Sequence, residues 1–159
     1  MRKILVFGNS GSGKSTLARS ICHAEGLSHL DLDTLEWNPT MPPERKCLSE
    51  SRSIIFNFIN SSEGWVIEGC YSDLLEIILP FASEIIFMNL PIESCIKNAK
   101  NRPWEPHKYP SKEAQDKNLQ MLIDWIGQYS ERTDTFSELA HNNLYRQYSG
   151  KKSMVICNE

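Results

Sequence analysis

The sequence predicts an α/β fold, a three-layer sandwich whose five-stranded parallel sheet carries helices on both faces and a small lid. Three observations carry this. Short apolar runs alternate with segments of helical spacing along the whole chain. The first apolar run breaks directly into a glycine-rich loop that opens a helix. One stretch holding Pro103, Pro106 and Pro110 interrupts the helical pattern of the C-terminal half.

Lys3 to Gly8 reads as the first strand, and Ser15 to Glu25 as a helix with Leu17, Ala18, Ile21 and Cys22 on one side and Gly26 as its stop. Leu27 to Leu32 is a second strand, running into the acidic triplet Asp31, Leu32, Asp33. Three prolines mark Asn38 to Pro43 as loop, and Glu44 to Asn60 has helical spacing through Leu48, Ile54, Ile55, Phe58 and Ile59. Trp65 to Gly69 is a third strand and Ser72 to Leu79 a helix with Ser72 as N-cap. Glu84 to Asn89 is a fourth strand, Pro91 to Asn101 a helix, and Ser111 to Tyr129 and Phe136 to Tyr148 two amphipathic helices. Ser153 to Cys157 supplies the fifth strand.

At 159 residues, with 40% hydrophobic and 23% charged residues, the chain suits a single α/β domain with a proper core. Lys plus Arg number 17 against 20 Asp plus Glu, a net charge of -3, which is a poor footprint for direct nucleic-acid binding or for an anionic membrane. Five cysteines without a CxxC pair fit reduced thiols in a cytoplasmic protein better than a disulfide framework. No stretch approaches the roughly 18 apolar residues of a membrane span. Monomer and homodimer both remain open.

The segment Gly8, Asn9, Ser10, Gly11, Ser12, Gly13, Lys14, Ser15, Thr16 matches GxxxxGK[ST] between an apolar strand and an amphipathic helix. Glycines there let successive N–H groups turn into one hollow, the helix N-terminus adds its dipole, and Lys14 can reach the outer phosphates of ATP. Ser15 offers a hydroxyl to Mg2+. The context makes this a P-loop NTPase, although the same cradle serves kinases, GTPases and motor ATPases. A GTPase would carry NKxD, whereas residues 98–100 read NAK without the Asp. Motor ATPases have larger cores, so the small kinases remain.

Asp31 and Asp33 stand where the second strand ends, and strand alternation would put both carboxylates on one face. One could steady a metal-bound water while the other meets an acceptor hydroxyl. Glu68 closes the apolar run WVIE, the place of an acid that holds the metal or caps the next loop. Residues 97–112 hold Lys97, Lys100, Arg102, Lys108 and Lys112 against Glu105 alone, a basic lid over about 101–112, with Arg102 the candidate for transition-state charge and Arg132 a second. His107 has no metal-ligand partners at suitable spacing and reads as structural. Trp37 and Tyr71 could stack on a flat substrate or simply pack, and Arg45 and Arg52 lie in the acceptor-binding segment, about 36–62.

GNSGSGKST, LDLDTLEW at 30–37, WVIEGCY at 65–71, PHKYP at 106–110 and the stretch from Tyr129 to Lys152 together give a likeness that covers nearly the whole chain. It resembles the small bacterial P-loop kinases of the adenylate and shikimate kinase group, and within them the adenylate-kinase-like proteins known as DNA topology modulation proteins. The resemblance implies that Asp33 is the substrate-side Asp, Asp31 the metal-side Asp and Arg102 a lid arginine. The shikimate-type glycine triplet is replaced by Glu68, Gly69 and Cys70, and the dense arginine array of adenylate-kinase lids is missing. The expected activity is transfer of the γ-phosphoryl group of Mg-ATP to a small-molecule or nucleotide acceptor, with Lys14, Asp33 and Arg102 catalytic. The glycine loop with Arg132 would bind nucleotide, and Ser15, Asp31 and Glu68 the metal. The alternative is an ATP-binding switch with slow hydrolysis.

Overall fold

The computed structural model describes residues 1–38 and 44–158. Strands β1 (Lys3–Gly8), β2 (Ser28–Asp31), β5 (Trp65–Gly69), β6 (Glu84–Met88) and β7 (Lys151–Val155) form one parallel sheet in the order β2-β5-β1-β6-β7. A two-stranded antiparallel ladder pairs β3 (Trp37–Asn38) with β4 (Glu44–Arg45). The helices are α1 (Lys14–Glu25), α2 (Asp33–Glu36), α3 (Leu48–Ser61), α4 (Ser72–Ile78), α5 (Ile92–Lys100), α6 (Lys112–Gly127) and α7 (Glu138–Gln147).

β1 is buried on both faces, so its side chains sort by alternation into two cores. Leu5 and Phe7 point toward Ile55 and Ile59 of α3, Leu74, Leu75 and Ile78 of α4, and Leu144 of α7. Ile4 and Val6 point the other way, toward Ala18 of α1, Cys95 and Ala99 of α5, and Ile126 of α6. The expected three layers follow. Strand order turns back on either side of β1, so the carboxyl ends of β1, β2 and β5 open on one crevice, the usual ligand position in such sheets. No helix among the described residues is long and apolar enough to cross a membrane.

Several boundaries differ from the sequence reading. Of the loop expected at 38–43, residues 39–43 lie outside the described residues. Glu44 and Arg45 extend that loop as a strand, and helix α3 starts at Leu48. The final strand begins two residues earlier than the apolar run, because Lys151 and Lys152 pair with Glu84 and Ile85 along an exposed sheet edge. Ser72 is not an N-cap: it is the first helical residue, and its hydroxyl has no partner among the described residues. The cap comes from a distant loop instead. Thr135 accepts the Ser72 N–H at its carbonyl (3.0 Å) and the Asp73 N–H at its hydroxyl (2.8 Å). Gly26 ends α1 in the left-handed conformation, as its position suggested.

His141 is fully buried on α7 against Phe7 and Phe87. Its Nε2–H donates to the Cys70 carbonyl (2.9 Å), which leaves Nδ1 to accept from the Tyr129 hydroxyl (2.7 Å). Burial holds the imidazole down at about 4. An unfolded imidazole takes up its proton near pH 6.5, so the stabilisation by neutral His141 is complete above that pH. It is lost progressively as pH falls toward 4, by on the order of 3 kcal/mol. Urea unfolding at pH 7 and pH 4.5 should therefore show a smaller loss of stability for His141→Gln than for the parent. Parallel pH profiles would contradict a neutral, buried imidazole.

Candidate functional site

The glycine loop leaves β1 at Gly8 and enters α1 at Lys14, with Gly13 in the cap position and no side chain capping the helix. The first N–H groups of α1 thus face the loop without a side-chain partner. Gly11 has φ of 78°, and a Cβ there would stand 2.4 Å from the Cys95 carbonyl oxygen, so only glycine fits. Three contacts pin the loop. Asn98 Nδ2 donates to the Gly11 carbonyl (2.8 Å), Asn158 Nδ2 to that of Ser12 (3.1 Å), and Asn9 Nδ2 to that of Ile126 (3.3 Å). Ser10 is half-buried and Thr16 exposed. The Ser12 hydroxyl is fully buried with no hydrogen-bond partner among the described residues. Lys14 Nζ folds back to donate to the Asn9 carbonyl (2.7 Å), on a carbonyl rather than a carboxylate.

Ser15 Oγ donates to Glu68 Oε1 (2.8 Å), and His29 Nε2 lies 2.8 Å from Glu68 Oε2. Glu68 is 2% exposed at the end of β5, and register sets it opposite Asp31 at the end of β2. Among the described residues no three His, Cys, Asp or Glu side chains make a metal cluster by themselves. A hydroxyl beside carboxyl groups is nevertheless a hard-oxygen set of the kind magnesium takes when phosphates and water complete its shell.

Asp31 and Asp33 do meet, but not through strand alternation. The chain turns at Leu32, and Asp31 Oδ1 accepts the Asp33 N–H (2.9 Å) as Asp33 begins α2. Lys108 then joins them, its Nζ 3.2 Å from Asp33 Oδ2, 3.7 Å from Asp31 Oδ2 and 3.4 Å from Glu105 Oε2. Asp33 also accepts a short hydrogen bond from the Tyr71 hydroxyl, which itself accepts from Trp37 Nε1 (2.9 Å). Burial works against ionisation of Asp33, but Lys108, Tyr71 and Lys14 outweigh it and hold the carboxyl below its ordinary value. Burial and the charges of Glu68 and Asp33 push Asp31 the other way. For Tyr71, burial and then Asp33 raise the phenol, so it stays a donor. Burial lifts the Cys70 thiol to about 12, with the Asp33 charge adding to it, and Cys70 stays protonated.

The other candidates separate. Arg102 bonds Glu105 (3.1 Å) and faces the groove between α5 and α6, so Lys108 and not Arg102 reaches the aspartates. His107 also turns to Glu105, at 3.5 Å. Arg132 pairs with Asp134 and lies 3.5 Å over the Trp125 ring and 5.7 Å from that of Phe136, contacts that keep it on an aromatic wall rather than on the glycine loop. Arg45 joins that wall over Tyr71 and Phe136, held by Glu36 and Asp73. Arg52 instead covers Phe56, which packs against Phe81.

Sequence reasoning missed His29, Asn98, Asn158, Trp125 and Phe136. A period-two signal was present for His29, two residues before Asp31 on the same strand face, whereas nothing local distinguishes the two asparagines.

No family model and no curated protein matches the chain. Solved structures similar to it include a deoxyadenosine kinase from M.mycoides with bound dATP, at 15% identity over 98% of this chain and 90% of that one, TM-score 0.51. A gluconokinase from Sinorhizobium meliloti 1021 is similar at 16% identity over 92% and 97%, TM-score 0.48. So is an uncharacterized protein from Eubacterium ventriosum ATCC 27560, at 18% over 98% and 91%, TM-score 0.48. The fold is that of the P-loop kinases. At such identities the likeness concerns fold alone.

The contact between Lys108 and Asp33 predicts a measurable titration. In Lys108→Met the Asp33 carboxyl should titrate at higher pH than in the parent, because its nearest opposing charge is gone. Carboxyl-carbon NMR reads the midpoint, and an unchanged or lower value would contradict the contact.

Proposed function

We propose that the protein is an ATP-dependent kinase that transfers the γ-phosphoryl group of Mg-ATP to the hydroxyl of a small acceptor in the cytoplasm. The observation that carries this is the meeting of a glycine loop and an acidic pair at the same sheet edge: Ser15 at the start of α1 bonds Glu68, which stands opposite Asp31. Phosphate oxygens fit the cradle, since among the described residues the buried Ser12 hydroxyl has no hydrogen-bond partner and no side chain caps the N-terminus of α1. The bound dATP of the similar deoxyadenosine kinase supports a nucleotide there. The likeness of LDLDTLEW and WVIEGCY to the adenylate-kinase-like group supports the same reading.

In this reading the loop amides of Gly8 to Thr16 and the Lys14 ammonium hold the phosphates, and the Ser15 hydroxyl with Glu68 and Asp31 holds the metal. Magnesium, when bound, supplies charge to the bridging and terminal phosphate oxygens. His29 fixes the rotamer of Glu68 from behind. Asp33 accepts a hydrogen bond from the acceptor hydroxyl and orients its oxygen. Its low pKa makes it a weak base, which suits a loose transition state in which the hydroxyl proton leaves late. Residues 101–112 act as the lid, with Lys108 over the acids and Arg102 and Arg132 as further cations behind it. Residues 36–62 contribute Trp37 and Arg45 to the acceptor side.

Lys14→Ala should abolish ADP formation, by about a hundred-fold or more, while thermal unfolding stays within a few degrees of the parent. Asp33→Asn should retain nucleotide affinity and lose acceptor-stimulated turnover. A Lys14→Ala protein of full activity would overturn the scheme.

A further inference from the structure

The acceptor side of the site has a definite chemical character. Trp37 is 41% exposed and meets Tyr71 edge-on, with ring centroids 6.5 Å apart. Tyr71 in turn meets Phe136 at 5.3 Å, and Phe136 meets Trp125 at 5.2 Å. The wall is aromatic from end to end, and its exposed member leads to the Asp33 carboxylate through the Tyr71 hydroxyl.

The cations on this wall are already neutralised. Arg45 spends its fork on Glu36 and Asp73, each at 3.1 Å. Arg132 spends its own on Asp134, and Lys108 stands among Asp31, Asp33 and Glu105. With Arg102, which also bonds Glu105, four cations thus face six carboxyl groups. Binding of a phosphate or carboxylate draws on an arginine fork left open for two parallel hydrogen bonds, and both forks here are closed by acids. Lys46 donates to the Trp37 carbonyl (3.5 Å) and offers a point charge rather than a planar fork. An anionic acceptor would meet net negative field at close range, which weakens its binding relative to an uncharged one.

We propose that the acceptor is an uncharged alcohol carrying a flat ring, of nucleoside type, and not a nucleoside monophosphate or a hydroxy acid. Its ring stacks on the exposed face of Trp37 beside Tyr71. Its hydroxyl donates to the Asp33 oxygen that Lys108 occupies in the acceptor-free site. This rests on the kinase reading above. In the transfer the hydroxyl oxygen forms a bond to the γ-phosphorus as the bond from that phosphorus to the bridging oxygen of ATP breaks. ADP leaves with the electron pair, and the hydroxyl proton passes through Asp33 to water.

Binding can be tested without turnover. Tryptophan fluorescence is titrated with adenosine, thymidine, AMP, TMP and shikimate, in the parent and in Trp37→Phe. Binding of ATP to the cradle is followed separately by calorimetry. A neutral nucleoside should quench the parent at least about ten-fold more tightly than its monophosphate, and the quench should weaken in Trp37→Phe. Asp134→Asn, which frees the Arg132 fork, should narrow that preference by raising AMP affinity. Monophosphate or acid binding as well as or better than the nucleoside overturns the inference, and so does a flat response to all five compounds. Calorimetric ATP binding in either of those cases would leave the phosphate-site reading standing, and its loss would remove that reading independently.

Discussion

One buried carboxyl group organises the crevice. Glu68 is 2% exposed at the end of the inner strand β5, a position where an unpartnered polar group would cost several kcal/mol. Its two oxygens are satisfied from different elements, Ser15 of α1 on one side and His29 of β2 on the other. That arrangement fixes the rotation of α1 about its axis, and so the direction in which the glycine loop presents its N–H groups. It also fixes β2 beside β5, which brings Asp31 to the carboxyl edge. Loss of the Glu68 carboxyl would therefore loosen the phosphate cradle and the acid pair together.

The acids at that edge differ in proton affinity because their surroundings differ. Asp33 has a phenol, an ammonium and the Lys14 field to stabilise its charge, and remains ionised. Asp31 has mainly burial and like charge, and holds its proton more readily. Two carboxyls two residues apart thus have their pKa values displaced in opposite directions. The cause is the turn at Leu32, which aims Asp33 at Tyr71 and leaves Asp31 facing Glu68. An extended segment would have given them nearly equivalent environments.

What the sequence made legible was local. The apolar runs of β1, β5 and β6 are buried on both faces and read as strands without help from anything distant. The loop GNSGSGKST is legible because its backbone demands glycine at Gly11 and a helix directly after it. Failures came where a distant residue decides. Ser72 has the composition of a cap, but Thr135 arrives 63 positions later in sequence and takes the work. Asn98 and Asn158 carry no pattern, and only the fold brings them to Gly11 and Ser12. The basic run and the resemblance name Arg102 as the lid cation; in the structure it bonds Glu105, while Lys108, three residues beyond that acid, reaches the aspartates. His141 reads as an ordinary polar residue until Tyr129 and Cys70 close around it.

In the proposed kinase, the Lys108 contact couples residues 101–112 to the acceptor side. An exposed ion pair contributes under about 1 kcal/mol, and one such pair would hold a proline-rich segment weakly. Lys108 meets three carboxyls, so a hydroxyl that takes one oxygen of Asp33 leaves the ammonium still paired to Asp31 and Glu105. Displacement costs little because no charge is stranded. In that reading the segment can therefore stay down as the acceptor enters. Repulsion between Asp31 and Asp33 rises if the segment lifts, since Lys108 is the cation between them. In the proposed kinase the acids themselves thus favour the lowered segment, since one ammonium screens the pair it covers.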